Sequence, residues 1–250
     1  MQPDAMIDNN CGLFVVSVCD GIGAAFVALF LLGYRAQGIA VENEGHLSAF
    51  GAVTWPSLTQ DDNVLSLSAA DAMAGARAAK AHAVLLVGGP PCPPFSSLSS
   101  NPQGFNDERS APLVRFVELR DEIGSACAAT GMRFRWLMEE VATMEVAHRA
   151  AITELVGEVP TLIHAADFGY LHRARLYWGL HEVVTVGAQL PRVEILPEGT
   201  AARGMHVVRW LGRPSPAGWQ PHDGAAAAAL RPTVGVCPSA ALLLGTRCRA

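Results

Sequence analysis

The sequence predicts an α/β domain with a mostly parallel sheet and helices on both of its faces. Short apolar runs alternate with longer helical segments, the pattern of strands joined by helical crossovers. The clearest runs, Leu13 to Val18 and Ala83 to Val87, are apolar on both faces, as buried parallel strands are. Each of these two runs gives way to a turn rich in Gly or Pro, which neither a helix nor a central strand continues through.

The elements follow in order. Leu13-Phe14-Val15-Val16-Ser17-Val18 is the first strand, and Asp20-Gly21-Ile22-Gly23 is a tight glycine loop. Ala24 to Leu32 reads as a helix stopped at Gly33. Arg35 to Val41 is a second, weaker strand with Glu42 at its end, and His46 to Val53 has helical character. Asp61-Asp62-Asn63 closes a short third segment, and alanine content predicts a helix over Ala69 to Ala81. Ala83 to Val87 is the strand before Cys92, and Ser97 to Ser110 is a polar loop. Leu113, Phe116, Val117, Leu119 and Ile123 make one stripe of a helix over Ala111 to Ala129. Phe134 to Met138 is a strand leading into Glu139-Glu140. Glu145 to Val156 is a helix, and Thr161 to Ala165 a strand. After Tyr177 the alternation decays, and residues 190 to 250 are rich in Pro, Gly and Ala without an internal repeat.

Bulk composition narrows the classes of function. The chain has 250 residues, enough for a sizeable core, with 50% apolar residues, 16% charged and a formal net charge of -5. That balance argues against a large DNA-gripping surface but leaves room for a local basic patch. Six cysteines lie at positions 11, 19, 92, 127, 237 and 248, with no CxxC pair and no zinc-finger spacing. Reduced thiols and an intracellular location follow, and no metal site is expected. The N-terminus lacks a signal-peptide pattern, and Ala24 to Leu32 is too short to span a bilayer.

Several groups of residues could carry chemistry. Strand, glycine loop and helix, with Glu42 roughly 20 residues on, match the spacing by which nucleotide-binding folds hold ribose; a plain tight turn is the other reading. Cys92 sits among four prolines in Gly89-Pro90-Pro91-Cys92-Pro93-Pro94, at a strand end. It is either an exposed nucleophile or a structural cysteine in a stiff turn. Glu139 belongs to the same sheet edge, either facing a heterocycle or serving as an acid at a helix start. Arg173 and Arg175 alternate, so on an extended segment they point the same way. Such a face suits a phosphate or the carbonyl of a base, or blunts an edge strand.

Taken in order over roughly residues 13 to 180, these motifs resemble the DNA (cytosine-5) methyltransferases. Cys19-Asp20-Gly21-Ile22-Gly23 resembles the cofactor loop, with Cys19 where the family usually has phenylalanine. Glu42-Asn43 resembles the ribose-binding acid, and Asp62-Asn63 the adenine-contacting acid. Gly89-Pro90-Pro91-Cys92 with Phe95-Ser96 resembles the nucleophile motif, and Gly104-Phe105-Asn106-Asp107-Glu108-Arg109 the segment after it. Trp136-Leu137-Met138-Glu139-Glu140-Val141 resembles the Glu-Asn-Val motif, with Glu140 in place of asparagine. His172-Arg173-Ala174-Arg175 resembles the arginine motif in a form like that of the animal de novo enzymes, with Leu171 at the frequent glutamine position.

The resemblance implies a Rossmann-like class I fold that depends on S-adenosylmethionine, with residues 1–182 as the catalytic domain. It implies cofactor contacts from Cys19, Asp20, Gly21, Ile22, Gly23, Glu42, Asn43, Asp62, Asn63 and Pro91. It also implies catalysis by Cys92, Glu139, Arg173 and Arg175 on a cytosine flipped out of DNA. Arg231-Pro232-Thr233-Val234 resembles the start of the segment after target recognition, but the final asparagine-containing motif is not found. Residues 183–250 are therefore expected to be a partial, poorly ordered target-recognition region. The fold is expected to be incomplete at the C-terminus, which leaves three readings open: a truncated or mispredicted product, a split enzyme whose fold a partner chain completes, or an inactive relative. A location in the nucleus of a eukaryote or the cytoplasm of a bacterium follows, with no membrane partner. Two alternatives stay open: the same chemistry on transfer RNA, and a catalytically inactive relative that binds cofactor or DNA and regulates a partner.

Overall fold

The computed structural model describes residues 12–165 and 173–180, together with the backbone of two strands at 193–196 and 206–210. The chain order is β1 (Leu13–Val18), α1 (Ala24–Leu31), β2 (Gln37–Val41), α2 (Gly45–Thr54), β3 (Thr59–Asp61), α3 (Ala69–Ala78) and β4 (Ala83–Gly88). It continues with α4 (Ala111–Thr130), β5 (Arg133–Val141), α5 (Val146–Val156), β6 (Thr161–His164), β7 (Ala174–Trp178), β8 (Val193–Leu196) and β9 (His206–Trp210). One sheet holds all nine strands in the order β3-β2-β1-β4-β5-β7-β6-β9-β8. From β3 through β5 every neighbouring pair is parallel. β7 runs antiparallel to both β5 and β6.

This is the Rossmann-like arrangement expected from the sequence, and it creates a functional edge. The chain winds outward from β1 to β3, then crosses back to lay β4 on the other side of β1. Open α/β sheets bind ligands outside the carboxyl ends of their strands, where the winding reverses. The loops after β1 and β4 flank that point.

Strand alternation divides the core. Phe14, Val16 and Val18 of β1 join Leu86, Phe116, Ile123 and Ile152 in one cluster, under α3, α4 and α5. Leu13 and Val15 join Phe26, Leu29, Leu85 and Val87 in a second cluster, under α1. Helices therefore cover both faces. Helix α3 starts at Ser68, whose hydroxyl accepts from the Asp71 N–H at 3.1 Å. Helix α4 ends at Gly131, left-handed at φ 72°.

Three differences from the sequence reading have physical causes. Helix α3 stops at Ala78 because Lys80 turns left-handed (φ 53°) to feed β4, and alanine content carries no end signal. Strand β5 runs to Val141, so Glu139 and Glu140 lie inside the strand rather than after it. Acids weaken strand propensity, but pairing with β7 outweighs it. Residues 193–196 and 206–210 form an antiparallel pair, and β9 joins the same sheet beside β6. Leu171, His172, the segment Arg231 to Val234 and most of the region from 183 to 250 lie outside the described residues. Among the described residues no helix is long and apolar enough to cross a membrane.

Phe116 ties this core to the functional edge. Its ring is fully buried and fills the space beside Gly88, where an added Cβ would lie 2.8 Å from the Phe116 ring. Phe116→Ala should cost about 3–5 kcal/mol and lower the urea midpoint without changing the slope. A midpoint equal to wild type would show that the ring does not anchor the end of β4.

Candidate functional site

The loop after β1 turns sharply because Cys19, Gly21 and Gly23 all take positive φ, at 53°, 61° and 80°. The Asp20 N–H donates to the Val41 carbonyl and the Gly23 N–H to the Asp20 carbonyl, both at 3.0 Å. The Ser17 hydroxyl donates to the Asp20 carboxylate. Burial pushes the Asp20 carboxyl above its usual range; the Ser17 bond opposes this and the Glu42 charge adds to it.

Glu42 is buried at the end of β2 and stitches two loops together. Its Oε2 accepts from the Gly21 N–H at 2.7 Å and its Oε1 from the Glu44 N–H at 2.9 Å. These bonds orient the carboxylate and leave acceptor sites on both oxygens. It lines a cavity of about 310 Å³, within the range of small-molecule sites. Cys19, Asn43, Asp62, Asn63 and Pro91 share the wall. Asp61 instead turns back, its Oδ1 accepting from the Asn63 N–H at 3.1 Å. Asp20, Gly21, Ile22 and Gly23 form the turn behind this wall. A Cβ on Gly21 would meet open space, whereas one on Gly23 would lie 2.5 Å from the Trp55 indole nitrogen.

The residues fit a nucleoside-bearing cofactor. An oriented carboxylate sits at the end of the second strand, where ribose hydroxyls are held in such folds. Val64, Leu65 and Pro112 add apolar wall suited to a flat heterocycle. These three, with Val41 and Glu44, were missed from the sequence. Nothing local marks them, because chain segments far apart meet there only after folding.

On the other side of the edge, the prolines set a compact turn around Cys92. Its carbonyl accepts from the Phe95 and Ser96 N–H groups at 3.0 and 2.9 Å. Phe95 is fully buried and makes edge contacts with Phe105 and His148, at centroid distances of 5.3 and 5.8 Å. The loop is thereby pinned from below while Cys92 stays half-buried. Burial raises the Cys92 thiol pKa, Glu140 raises it further and Arg175 opposes them. The Cys19 thiol is pushed up to about 12, by burial first and then by Glu42 and Glu140.

Glu139 and Glu140 point to opposite faces of β5, as neighbours on a strand do. Glu139 Oε1 lies 2.5 Å from Arg175 Nε and 4.0 Å from the Arg173 guanidinium. Arg175 Nη1 also donates to the Ala174 carbonyl at 2.9 Å, fixing the guanidinium plane. Arg173 stays largely exposed. The Glu139 carboxylate also rests against Gly89, where an added Cβ would lie 3.1 Å from Oε2. The structure thus brings Glu139 together with both arginines, and the arginines do share a face.

Glu140 is only 1% exposed. Its Oε2 accepts from the Val141 N–H at 2.8 Å, and its Oε1 is buried without a partner among the described residues. Burial pushes its carboxyl up to about 8; the Val141 N–H and Arg175 oppose this and the Glu139 charge adds to it.

No protein-family model matches the chain. Among solved structures, its fold is similar to a prophage-encoded protein described as a DNA modification methyltransferase (E. coli), at 23% identity and TM-score 0.49. It is also similar to the Entamoeba histolytica methyltransferase EhMeth, at 16% identity and TM-score 0.49. A third is the S. pombe Dnmt2 methyltransferase, at 17% identity and TM-score 0.44. Each match covers 66% of this chain and 45%, 51% and 48% of those chains respectively, so the chain spans about half their length.

The raised Glu140 proton affinity has a consequence for stability. The folded protein holds this proton more tightly than the unfolded chain, where the group titrates near 4.5. Its contribution is full below about pH 4.5 and is lost as the pH rises through about 8. Glu140→Gln keeps the site neutral and should be more stable than wild type at pH 8 by roughly 1–3 kcal/mol. Denaturant unfolding from pH 5 to 9 checks this. Parallel stability curves for the two proteins would rule out a buried neutral Glu140.

Proposed function

We propose that the chain transfers a methyl group from S-adenosylmethionine to carbon 5 of cytosine in DNA. The observation that carries this reading is the Glu139–Arg175 pair, set at the sheet edge beside the proline-held Cys92. The same edge carries a nucleoside-sized cavity with Glu42 in its wall. Charge pairing of this kind suits a planar ring that offers both a basic nitrogen and a carbonyl oxygen. The methyltransferase motifs read in the sequence fall on this edge in order, in the loops after β1, β2, β3 and β4 and then, for Glu139 and Arg175, in β5 and β7.

S-adenosylmethionine would supply an electrophilic methyl group in the cavity, held by Glu42, Asn43, Asp62, Asn63, Pro91 and the loop from Cys19 to Gly23. The target cytosine leaves the duplex to reach the site. The Cys92 sulfur bonds to carbon 6, and carbon 5 becomes nucleophilic. Glu139 engages ring nitrogen 3 and the exocyclic amine. Arg175 binds the carbonyl oxygen at carbon 2, where negative charge develops, and Arg173 supports it. After methylation, carbon 5 gives up its proton to solvent and the sulfur–carbon 6 bond breaks, which releases Cys92 as the thiolate. Residues 1–182 form the catalytic domain in this reading, with target recognition beyond them.

Incubation with labelled S-adenosylmethionine and cytosine-containing DNA should label the DNA. Cys92→Ala should abolish labelling and the covalent complex with 5-fluorocytosine DNA. Labelling that survives Cys92→Ala would remove the cysteine from the mechanism, and labelling of transfer RNA alone would replace the substrate. Glu42→Ala should weaken S-adenosylmethionine binding by about tenfold or more in calorimetry, through loss of a charged acceptor. Unchanged affinity would place the cofactor elsewhere.

A further inference from the structure

Glu140 is a buried acid that the proposed reaction leaves unused. It lies one residue from Glu139 but on the opposite face of β5, beside Met138, Leu176 and Trp178. Cys92 packs against that same cluster. Among the described residues, one Glu140 oxygen has a single backbone N–H and the other has no partner. An ionised carboxylate in that position loses its hydration, and one N–H does not replace it. The neutral acid avoids that penalty. Among the described residues, the charged or titratable groups that interact with it are Glu139 on its own strand, Arg175 on β7, and Cys92 and Cys19 in the loops after β4 and β1. Arg175 is already engaged by Glu139 at 2.5 Å, so it does not neutralise a second carboxylate fully.

We propose that Glu140 is a positioning residue for the nucleophile: as the neutral acid it lets the Cys92 thiol ionise, and as the anion it holds that thiol protonated. The inference rests on the reading of Cys92 as the nucleophile, but its consequence is measurable without methyl transfer. When Glu140 gives up its proton, a negative charge appears in the poorly solvated core against which Cys92 packs, and a second negative charge on the sulfur is then disfavoured. The two groups titrate as a pair, so Cys92 gains little thiolate over the alkaline range in which an ordinary thiol gains most of it. Glu140→Gln keeps the size of the neutral acid and removes the charge, and Glu140→Asn does the same with a shorter side chain.

The test is the rate of Cys92 alkylation by iodoacetamide, followed by mass spectrometry of the Cys92 peptide in the full chain from pH 6 to 10. Wild type and Glu140→Gln should react alike near pH 6.5, where both carry a neutral group at 140. Above pH 8.5 the variant should react about tenfold faster, corresponding to about one unit in the thiol pKa. Glu140→Asn should follow the same course. Equal rates for wild type and both variants at every pH would overturn the proposal, and so would slower reaction of both variants throughout. A tenfold divergence in a protein that methylates nothing would sustain this inference and sink the proposed activity. The reverse pattern would leave the activity standing and remove the role given to Glu140.

Discussion

The bridge between Glu139 and Arg175 is the contact on which the candidate site depends. The two residues come from strands paired in opposite directions, and that reversal makes the contact geometrically available. Val141 stands opposite Arg175 and Glu139 opposite Tyr177, so acid and guanidinium lie on one face, offset by two residues along the strands. A parallel β7 would begin at the other end of β5 and carry its arginines away from the functional edge. The bridge also holds Glu139 against Gly89, which links β5 and β7 to the loop that presents Cys92.

Around that bridge burial, and after it the nearby carboxylates, favour protonated thiols. Glu42, Glu139 and Glu140 gather near the ends of β2 and β5, and both nearby cysteines have raised proton affinities. Arg175 is the cation that opposes this at Cys92. A thiol held this way is protected from adventitious oxidation, since the thiolate is the reactive form.

Much of the fold was legible from apolar runs and their punctuation. β1 matches its sequence reading at both ends, and β4 runs one residue further, to Gly88, because strands apolar on both faces leave little ambiguity. The end of α3 was not legible, because the left-handed turn at Lys80 has no glycine to announce it. The hairpin of β8 and β9 was hidden for a different reason. Its strands are short and surrounded by Pro and Gly, and they gain their stability from pairing with β6 and with each other. The placement of Glu42, Asp62 and Asn63 on one cavity was legible in outline, since each follows the end of a parallel strand.

By itself the sequence determined which residue types stand at strand ends: a thiol in a proline cage, an acid after the second strand, an alternating pair of arginines. These are local facts, set by backbone restriction and by the period of two along a strand. Tertiary structure decided which of these residues meet. It sent adjacent Glu139 and Glu140 to opposite environments, one into an ion pair and the other into the core. It also chose β7 as the neighbour of β5. Such outcomes depend on strand pairing between distant segments and on the water each side chain loses, and neither quantity exists until the sheet has closed.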